Sequence, residues 1–298
     1  MTPPNASVAT RTDSVLDHLT PISLDELIAA AELMTRIDRK YVVDAALADS
    51  LVMQLAGAGR STDAAARALA IDDRRRFEYA SLYYDTPDLL SYYLSAHGRR
   101  RRFKVRRRLY CDSGLEFLEV KTRGGRGTTV KQRLERPGGG AFDRPLDGDE
   151  RQFVAAALEE ARVPSITNSP ATGAALEPDD VLSGVARLRP TLATRYHRAT
   201  LLLPADGTRV TVDTTLSWGF PRDVAVPLRT KAVVETKSGV SPSSADRVLW
   251  RHGARPVRFS KYGTGLAVLC PELAVSKWRS VHARHLADSL PSLFALGA

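Results

Sequence analysis

Cysteine and long apolar runs are both scarce in this sequence, and each scarcity excludes a class of protein. Cys111 and Cys270 are the only two cysteines in the 298 residues, and they form no C-x-x-C pair. A disulfide-rich secreted scaffold is therefore excluded, and the thiols are expected to be reduced and structural, as in a cytoplasmic protein. No apolar run reaches the ~18 residues that a membrane span requires, so no transmembrane segment is predicted.

The amino-terminal segment lacks the apolar core of a signal peptide. It begins MTPPNASVATRTDS and is rich in threonine, proline and serine, which predicts a disordered tail over residues 1–21. The 43% hydrophobic content is enough to build a sizeable core beyond that tail. We therefore predict one globular domain over residues 22–272, followed by a C-terminal helix and tail over residues 273–298.

Acidic residues are absent from GRRRRFKVRRRLY (residues 98–110), the segment that holds most of the excess positive charge. The chain has 43 Lys and Arg against 34 Asp and Glu, a net charge of +9, and removing the eight basic residues between 99 and 108 leaves +1. A nucleic-acid coat would spread its charge over a wider surface, so we predict one local anion site and no nucleic-acid partner. Nucleic-acid binding by this segment remains an alternative.

Period-two alternation predicts a series of strands, each with one charged and one apolar face. In the basic segment, Lys104, Arg106 and Arg108 share one face, opposite Phe103 and Val105. Four later pairs share charged faces in the same way: Glu119 with Lys121, Lys131 with Arg133, Arg209 with Asp213, and Glu235 with Lys237.

The remaining arginines of the basic segment are expected to stay near the surface. Arg99, Arg101 and Arg107 have the parity of the apolar face and are predicted to be surface charges. Arg100 and Arg102 precede the strand and are predicted to lie at its solvated rim.

Two architectures fit strands of this kind. In one, an open sheet exposes its charged faces to water and packs helices on its apolar side. In the other, the sheet closes into a barrel with the charges inside and the helices outside. Periodicity does not choose between them. A charged interior would need a highly charged guest, because clustered like charges without partners are costly; a polyphosphate chain with a divalent cation would be such a guest.

Eight short motifs are informative through their order: RKYVV, SLYYDT, FKVRRRLY, FLEVKTR, YHRATLL, RVTVDTTL, AVVETKSG and RFSKYGTG. In this order they resemble the VTC domain, the catalytic domain of eukaryotic vacuolar transporter chaperone complexes, from about Ile22 to Leu269. That family belongs to the triphosphate tunnel metalloenzymes. The resemblance implies an α+β fold in which an antiparallel β-barrel of about eight strands forms a charged tunnel, with helices packed outside.

The resemblance also implies an activity and partners. It predicts an enzyme, a phosphotransferase that binds ATP or another triphosphate with Mn2+ or Mg2+ and transfers the terminal phosphoryl group. Synthesis of inorganic polyphosphate is the preferred reaction. Hydrolysis by a triphosphatase and non-catalytic polyphosphate sensing are the alternatives. A membrane-bound partner is compatible with this function.

Matched motifs and shared charged faces together imply two groups of functional residues. The expected phosphate ligands are Lys40, Lys104, Arg106, Arg108, Lys121, Lys131, Arg133, Arg198, Arg209, Lys237, Arg258 and Lys261. The subset expected to act in catalysis is Lys40, Arg106, Arg108, Lys121, Arg198, Arg209 and Lys261. The expected metal ligands are Glu235, Glu119 and Asp213. Structural ion pairs are the alternative for Glu119 and Asp213, the latter with Arg209.

The first predicted strand departs from the pattern of the wider superfamily. Many tunnel triphosphatases carry a metal-binding Glu-x-Glu-x-Lys motif there, whereas this chain has RIDRKYV. Asp38 would replace the two glutamates only in part. This departure favours the VTC branch over the hydrolase branch.

Overall fold

An α+β fold is formed by the residues that the computed structural model describes: 11–32, 37–57, 65–124, 128–138, 141–163, 181–273 and 277–286. The strands are β1 (Thr20–Ile22), β2 (Ile37–Asp44), β3 (Arg67–Leu69), β4 (Arg76–Asp85), β5 (Phe103–Tyr110), β6 (Glu116–Arg123), β7 (Thr129–Arg136), β8 (Arg189–Leu203), β9 (Thr208–Gly219), β10 (Val226–Pro227) and β11 (Lys231–Ser238). The helices are α1 (Arg11–His18), α2 (Leu24–Glu32), α3 (Ala45–Gly57), α4 (Leu90–Ala96), α5 (Gly148–Glu160), α6 (Val181–Ala186), α7 (Ser244–Arg251), α8 (Lys261–Leu269) and α9 (Arg279–Val281). In this part of the chain, no helix has both the length and the apolar character needed to cross a membrane.

Two compact units divide the chain, and each is assembled from separate segments. The first unit comprises Met1–Phe77, His197–Thr215 and Leu228–Val257. The second comprises Glu78–Tyr196, Leu216–Pro227 and Arg258–Ala298. The long strands β8 and β9 each contribute residues to both units. The domain limits at residues 22 and 272 stay a prediction.

The first unit is built on antiparallel strands in the order β2-β11-β9-β8. Their apolar faces pack against α3 and α7 in a core that includes Val43, Leu51, Val212, Val234 and Leu249. Fully burying one side chain of this size contributes roughly 1.5–3 kcal/mol. The alternation of apolar and charged residues therefore decides which face of these strands packs against the helices.

Tyr41 links the apolar face of β2 to the start of α7. Its hydroxyl donates to Asp246 Oδ1 at 2.7 Å and accepts from Trp250 Nε1 at 3.1 Å. Asp246 also completes a capping box with the N-cap residue Ser243. Tyr41 and Lys40 are adjacent on a strand, so their side chains point to opposite faces, and fixing Tyr41 also fixes the direction of Lys40.

The second unit contains strands in the order β8-β4-β5-β6-β7. Phe103, Val105, Leu118 and Val120 form its core with residues of α5, including Leu158. These strand residues have the apolar parity that the sequence predicts. The same face also holds Arg107 and Arg136.

The prediction that Arg107 is a surface charge is wrong, because its side chain is 0% exposed. Its Nη2 donates to both carboxylate oxygens of Glu150 at 2.9 and 2.8 Å, and its Nε lies 2.9 Å from Glu116 Oε1. The guanidinium also lies over the ring of Tyr84, with its carbon 5.4 Å from the ring centre. Glu150 is the N3 residue of the α5 capping box. Arg107 therefore fixes α5 to the sheet.

Two glycines allow tryptophan rings to contact the backbone of α8. A Cβ atom on Gly263 would lie 2.2 Å from the ring of Trp278, and one on Gly265 would lie 2.2 Å from the ring of Trp218. Trp218 Nε1 also donates to the carbonyl of Lys261 at 2.8 Å. The glycines of the SKYGTG motif thus set the position of the helix that begins at Lys261.

The two ends of the chain differ from the sequence prediction. The tail predicted over residues 1–21 instead contains α1 and β1, with Leu16 and Leu19 buried, while residues 1–10 lie outside the described residues. The N-cap of α7 is Ser243, whose Oγ accepts from the Asp246 amide. The predicted C-terminal helix appears as α9 and a π-helical turn over His282–Leu286, and residues 287–298 lie outside the described part.

The α+β class and the antiparallel sheet of about eight main strands are confirmed. Among the described strands, β2 pairs only with β11 and β7 only with β6. The path of hydrogen-bonded strands therefore stays open, in contrast to the closed barrel that the resemblance implies.

Candidate anion-binding site

Strands β5, β6 and β7 place three lysines side by side on one face of the second unit. Lys104 is in register with Lys121, and Lys121 is in register with Lys131. Like charges directly opposite one another destabilise an antiparallel sheet. This lysine row (Lys104, Lys121 and Lys131) therefore costs folding energy that a bound anion would recover.

The next row along the same strands contains a carboxylate between two arginines. Glu119 is in register with Arg106 and Arg133. Arg106 Nε donates to Glu119 Oε2 at 2.6 Å, and Lys131 Nζ lies 2.6 Å from Oε1. Burial opposes ionisation of Glu119, but Arg106, Arg108 and Lys131 outweigh it and hold its pKa well below the usual value. Glu119 thus forms the structural ion pairs that the sequence leaves open.

Lys121 is the residue of the lysine row whose charge is least compensated. It is half-buried, and no acidic side chain among the described residues forms an ion pair with it. Arg106, burial and Arg108 together hold the pKa of Lys121 well below its usual value, and the opposing effect of Glu119 is smaller. A bound anion would favour the charged ammonium.

Tyr196 brings two predicted phosphate ligands together. Its hydroxyl accepts from Arg108 Nη2 at 3.0 Å, and Lys261 Nζ lies 4.1 Å from the centre of its ring. Tyr79 stacks on Tyr196 with ring centres 5.4 Å apart, and the Arg108 guanidinium lies over Tyr79. Cation–π contacts of this kind favour a fixed orientation of both cations.

A chain of contacts extends from Arg106 to a fully buried aspartate. Arg106 Nη1 donates to the Tyr83 hydroxyl at 3.3 Å, and Tyr83 stacks on Tyr262 at 5.1 Å between ring centres. The Tyr262 hydroxyl donates to Asp85, which also accepts backbone N–H groups from the first turn of α4. Burial raises the pKa of Asp85 to about 6 in spite of these donors. Asp85 therefore positions Tyr262, and through it the ring beside Arg106.

The two basic residues of the motif RFSK, Arg258 and Lys261, lie in different environments. Ser260 caps α8 by accepting from the Gly263 amide at 3.1 Å, and its hydroxyl oxygen also accepts from Lys104 Nζ at 2.9 Å. Lys261 starts the helix and reaches Tyr196, whereas Arg258 is exposed. Lys261 contacts Tyr196, which also binds Arg108, and no such shared contact is described for Arg258.

In the first unit, Glu235 lies between two lysines. Glu235 is in register with Lys40, whose Nζ lies 3.1 Å from Glu235 Oε1, and Lys237 Nζ lies 3.4 Å from the same oxygen. Burial opposes ionisation of Glu235, but Lys40, Lys237 and Arg198 hold its pKa well below the usual value. This Glu235 cluster (Lys40, Glu235 and Lys237) has an ionised carboxylate and an excess of positive charge.

Arg198 and Asp213 form a two-point ion pair in the same unit. Arg198 Nε donates to Asp213 Oδ1 at 2.6 Å, and Nη2 donates to Oδ2 at 2.8 Å. The sequence suggests Arg209 as the partner of Asp213, but Arg209 is instead in register with Lys237. Asp213 therefore orients Arg198, a predicted phosphate ligand.

The positions of the carboxylates show whether this chain could bind the divalent metal that the family implies. No group of three His, Cys, Asp or Glu side chains that could hold an ion occurs among the described residues, which excludes a protein-only cage there. Glu235 and Asp213 are diagonal neighbours on one face of β11 and β9, because Glu235 pairs with Thr211 and Val233 with Asp213. Mg2+ and Mn2+ sites with phosphate ligands need only one or two carboxylates. The first unit fits a cation of that kind, and Glu119 belongs to the second unit.

Three positioning residues were missed by the sequence analysis. Tyr196 has the same strand parity as Arg198, which was a usable signal. Ser260 stands directly before a helical apolar run, the usual place of an N-cap. Asp85 gave no signal, because its partner Tyr262 is 177 positions away in sequence. The roles of all the candidate ligands stay predictions.

Solved structures that match this chain include the following three. HpAC1 from Hippeastrum, described as having a dominant triphosphatase activity, matches at 13% identity and a TM-score of 0.39, over 80% of this chain and 98% of its own. The PH1012 protein from Pyrococcus horikoshii OT3 matches at 10% identity and a TM-score of 0.34, over 74% and 88%. A conserved hypothetical protein from Pyrococcus furiosus matches at 11% identity and a TM-score of 0.34, over 76% and 99%.

Sequence comparison gives the family. None of the curated protein sequences compared with this chain matches it significantly. The VTC domain family matches over residues 35–270, which is most of the 298-residue chain. The matched range includes both the lysine row and the Glu235 cluster, and this protein belongs to the VTC domain family.

Proposed function

We propose that this protein binds the phosphate chain of ATP, or of another triphosphate, and transfers the terminal phosphoryl group to inorganic polyphosphate. The observation that carries this proposal is the lysine row beside Arg106 and Arg108 on one face of β5–β7. A row of like charges held in register is explained by an anion with several charges of its own. Membership of the VTC domain family supports a function of the triphosphate-tunnel type.

The reaction is a phosphoryl transfer between phosphate groups. A terminal oxygen of the polyphosphate forms a bond to the γ-phosphorus of ATP. The bond between that phosphorus and the bridging oxygen to the β-phosphate breaks, and ADP leaves with the electron pair. Such a transfer depends on positioning and charge neutralisation more than on covalent chemistry by the protein.

Each class of basic residue has a separate task in this proposal. Guanidiniums make forked hydrogen bonds to phosphate oxygens, so Arg106 and Arg108 would fix the orientation of the phosphate chain. Tyr83 and Tyr196 hold these two guanidiniums before the substrate arrives. Lysines act as mobile point charges that follow the moving negative charge. In the first unit, Glu235 and Asp213 would hold Mn2+ or Mg2+, which when bound would neutralise charge on phosphate oxygens.

The products distinguish the reactions that this site could support. The protein is incubated with ATP and Mn2+, and the products are separated on a gel and tested for free phosphate. A ladder of polyphosphate with an equal release of ADP supports the proposal. Free phosphate without polymer would instead assign a triphosphatase. Tight ATP binding without ADP release would assign a polyphosphate-sensing module.

Replacing Glu235 with glutamine is expected to raise the Mn2+ concentration needed for half-maximal turnover by about tenfold or more. The variant keeps the size of the side chain but removes a charged oxygen ligand. The matched control is Glu272→Gln, since Glu272 is exposed and outside both clusters. An unchanged Mn2+ dependence in Glu235→Gln would remove Glu235 from the metal site.

Triphosphate binding is expected to take up protons above the depressed pKa of Lys121. The free protein loses the Lys121 proton at lower pH than an ordinary lysine, and the bound anion restores it. Affinity should therefore fall as pH rises through that pKa. In calorimetry from about pH 6 to about pH 10, the binding heat should depend on the ionisation enthalpy of the buffer. Identical heats in different buffers at every pH would contradict the assignment.

A further inference from the structure

A cavity of about 310 Å³ lies in the second unit, apart from the lysine row. It is lined by Thr122 and Gln132, on the face of β6 and β7 that α5 covers, and by Ala157 of α5 itself. The neighbouring Lys121 and Lys131 have the opposite parity and so point to the other face. The cavity is therefore a separate feature, and its volume lies at the lower end of the range for small-molecule sites.

Four arginines from three segments line this arginine cavity: Arg100 and Arg101 before β5, Arg123 at the end of β6, and Arg162 after α5. None of the four forms an ion pair with an acidic side chain in the described part of the chain. Glu160 is the one acidic residue among the lining residues, and its Oε2 accepts from Gln132 Nε2 at 2.6 Å. Four arginines against one glutamate leave the cavity lining with a net positive charge.

The structural arginines of the same unit are arranged differently. Arg107, Arg136 and Arg144 each form an ion pair with Glu150, so their charges are compensated. The uncompensated arginines of the cavity therefore do not follow the pattern by which this unit uses arginine to hold its fold.

Arg162 is held in a strained backbone conformation at the cavity. Its φ of 49° is in the left-handed region, where a helix commonly ends on glycine. Its amide donates to the Glu159 carbonyl at 2.8 Å, and the Val163 amide donates to the Leu158 carbonyl at 3.0 Å. The helix dipole accounts for one cation at this end of α5. It does not account for the three other arginines, nor for an arginine where glycine would be relaxed.

Positive charge continues beyond the cavity lining. Burial, and after it the charge of Arg123, lowers the pKa of Arg102. Burial followed by Arg102, Arg258 and Arg123 lowers the pKa of Lys277. Burial makes the largest contribution to both shifts, and repulsion by the neighbouring cations adds to it.

We propose that the arginine cavity is a second binding site, for a small anion that carries two or more phosphoryl groups. Planar guanidinium forks match phosphate oxygens in pairs, and four of them around one small cavity suit clustered phosphates better than a single carboxylate. The site does not depend on the proposed enzymatic function, because it uses none of the residues assigned to that function. The ligand is a condensed phosphate or a small molecule with the same phosphate group.

The test uses Arg162→Gly in the full chain with tripolyphosphate as the probe. Glycine relieves the left-handed strain, so the melting temperature should be unchanged or higher. Isothermal titration should show two classes of site in the unaltered protein. Arg162→Gly, and independently Arg101→Ala, should weaken one class by about tenfold or more while leaving the other unchanged. Lys121→Met should affect only the other class, which separates failure of this proposal from failure of the proposed function.

The control is Arg229→Ala, an exposed arginine outside the cavity, which should change neither class of site. Equal binding curves for Arg162→Gly and Arg229→Ala would overturn the proposal. Orthophosphate binding as tightly as tripolyphosphate would overturn the requirement for two phosphoryl groups. Single-stranded RNA that displaces tripolyphosphate from this class, with affinity rising with RNA length, would overturn the small-ligand assignment.

Discussion

Replacing Arg107 with alanine is expected to lower the free energy of unfolding by about 3–5 kcal/mol. The variant leaves the carboxylates of Glu116 and Glu150 in a site where they are almost completely buried, without their main partner. It also removes the guanidinium that packs over the ring of Tyr84. Urea or thermal denaturation of purified protein measures the loss. Triphosphate affinity of the protein that remains folded should be unchanged.

Arg99→Ala is the matched control for Arg107→Ala, because it removes the same charge from the same basic segment. Arg99 is exposed, and surface substitutions of this kind usually change stability by less than about 0.5 kcal/mol. If Arg107→Ala and Arg99→Ala had equal effects, Arg107 would not be holding α5 on the sheet.

Replacing Lys121 with methionine is expected to weaken triphosphate binding by about 10–100-fold while leaving the fold as stable or more stable. Methionine fills a similar volume. It removes a charge that Arg106 and Arg108 repel and that burial disfavours. A structural lysine would show the opposite signs, with a loss of stability and unchanged binding. Titration calorimetry with tripolyphosphate and a denaturation curve on the same preparation check both effects.

Lys231→Met controls for the loss of one lysine. Lys231 pairs with Asp44 in the first unit, with Nζ 2.6 Å from Oδ1, and an ion pair of this kind contributes roughly 0–1 kcal/mol. The two variants have the same net charge, so equal losses of binding would indicate a general charge effect. That result would contradict a specific role for Lys121.

The shifted pKa values of Lys121 and Glu119 make the stability of the fold depend on pH. The pKa of Lys121 is lower in the folded protein than in the unfolded chain, so the unfolded chain binds more protons between the two values. Stability therefore rises with pH across that interval. Glu119 has a depressed pKa, so the stability it contributes is lost as pH falls below the ordinary glutamate value.

Strand parity predicted much of the candidate site from sequence alone. Lys104, Arg106 and Lys121 lie on one face because side chains alternate along a strand, and that rule needs no tertiary information. The same rule placed Arg107 on the opposite face but could not supply its environment. Its partner Glu150 is 43 positions away, on a helix whose docking is a long-range event.

The pairing of carboxylates was the less predictable part of the site. The sequence offered Glu235 as a metal ligand, and it offered Glu119 and Asp213 as metal ligands or ion-pair partners without deciding between these two roles. Their nearest contacts depend on which strands are neighbours, as with Arg198 on β8 and Asp213 on β9. Single-strand periodicity does not contain strand order. Motif order supplied the family, and through it the fold class.

Arg107 also has a consequence for how the chain avoids misfolding. The basic segment is chemically repetitive, so sliding β5 by two residues along β6 would keep its cations on the same face and bring Arg108 opposite Glu119. The contacts on the charged face would differ little between this misaligned pairing and the native one. Arg107 makes the native pairing more stable, because the slip would move it opposite Val120 and away from Glu116 and Glu150. The buried ion pair thus works against a kinetic trap that the repetitive anion-binding face would otherwise create.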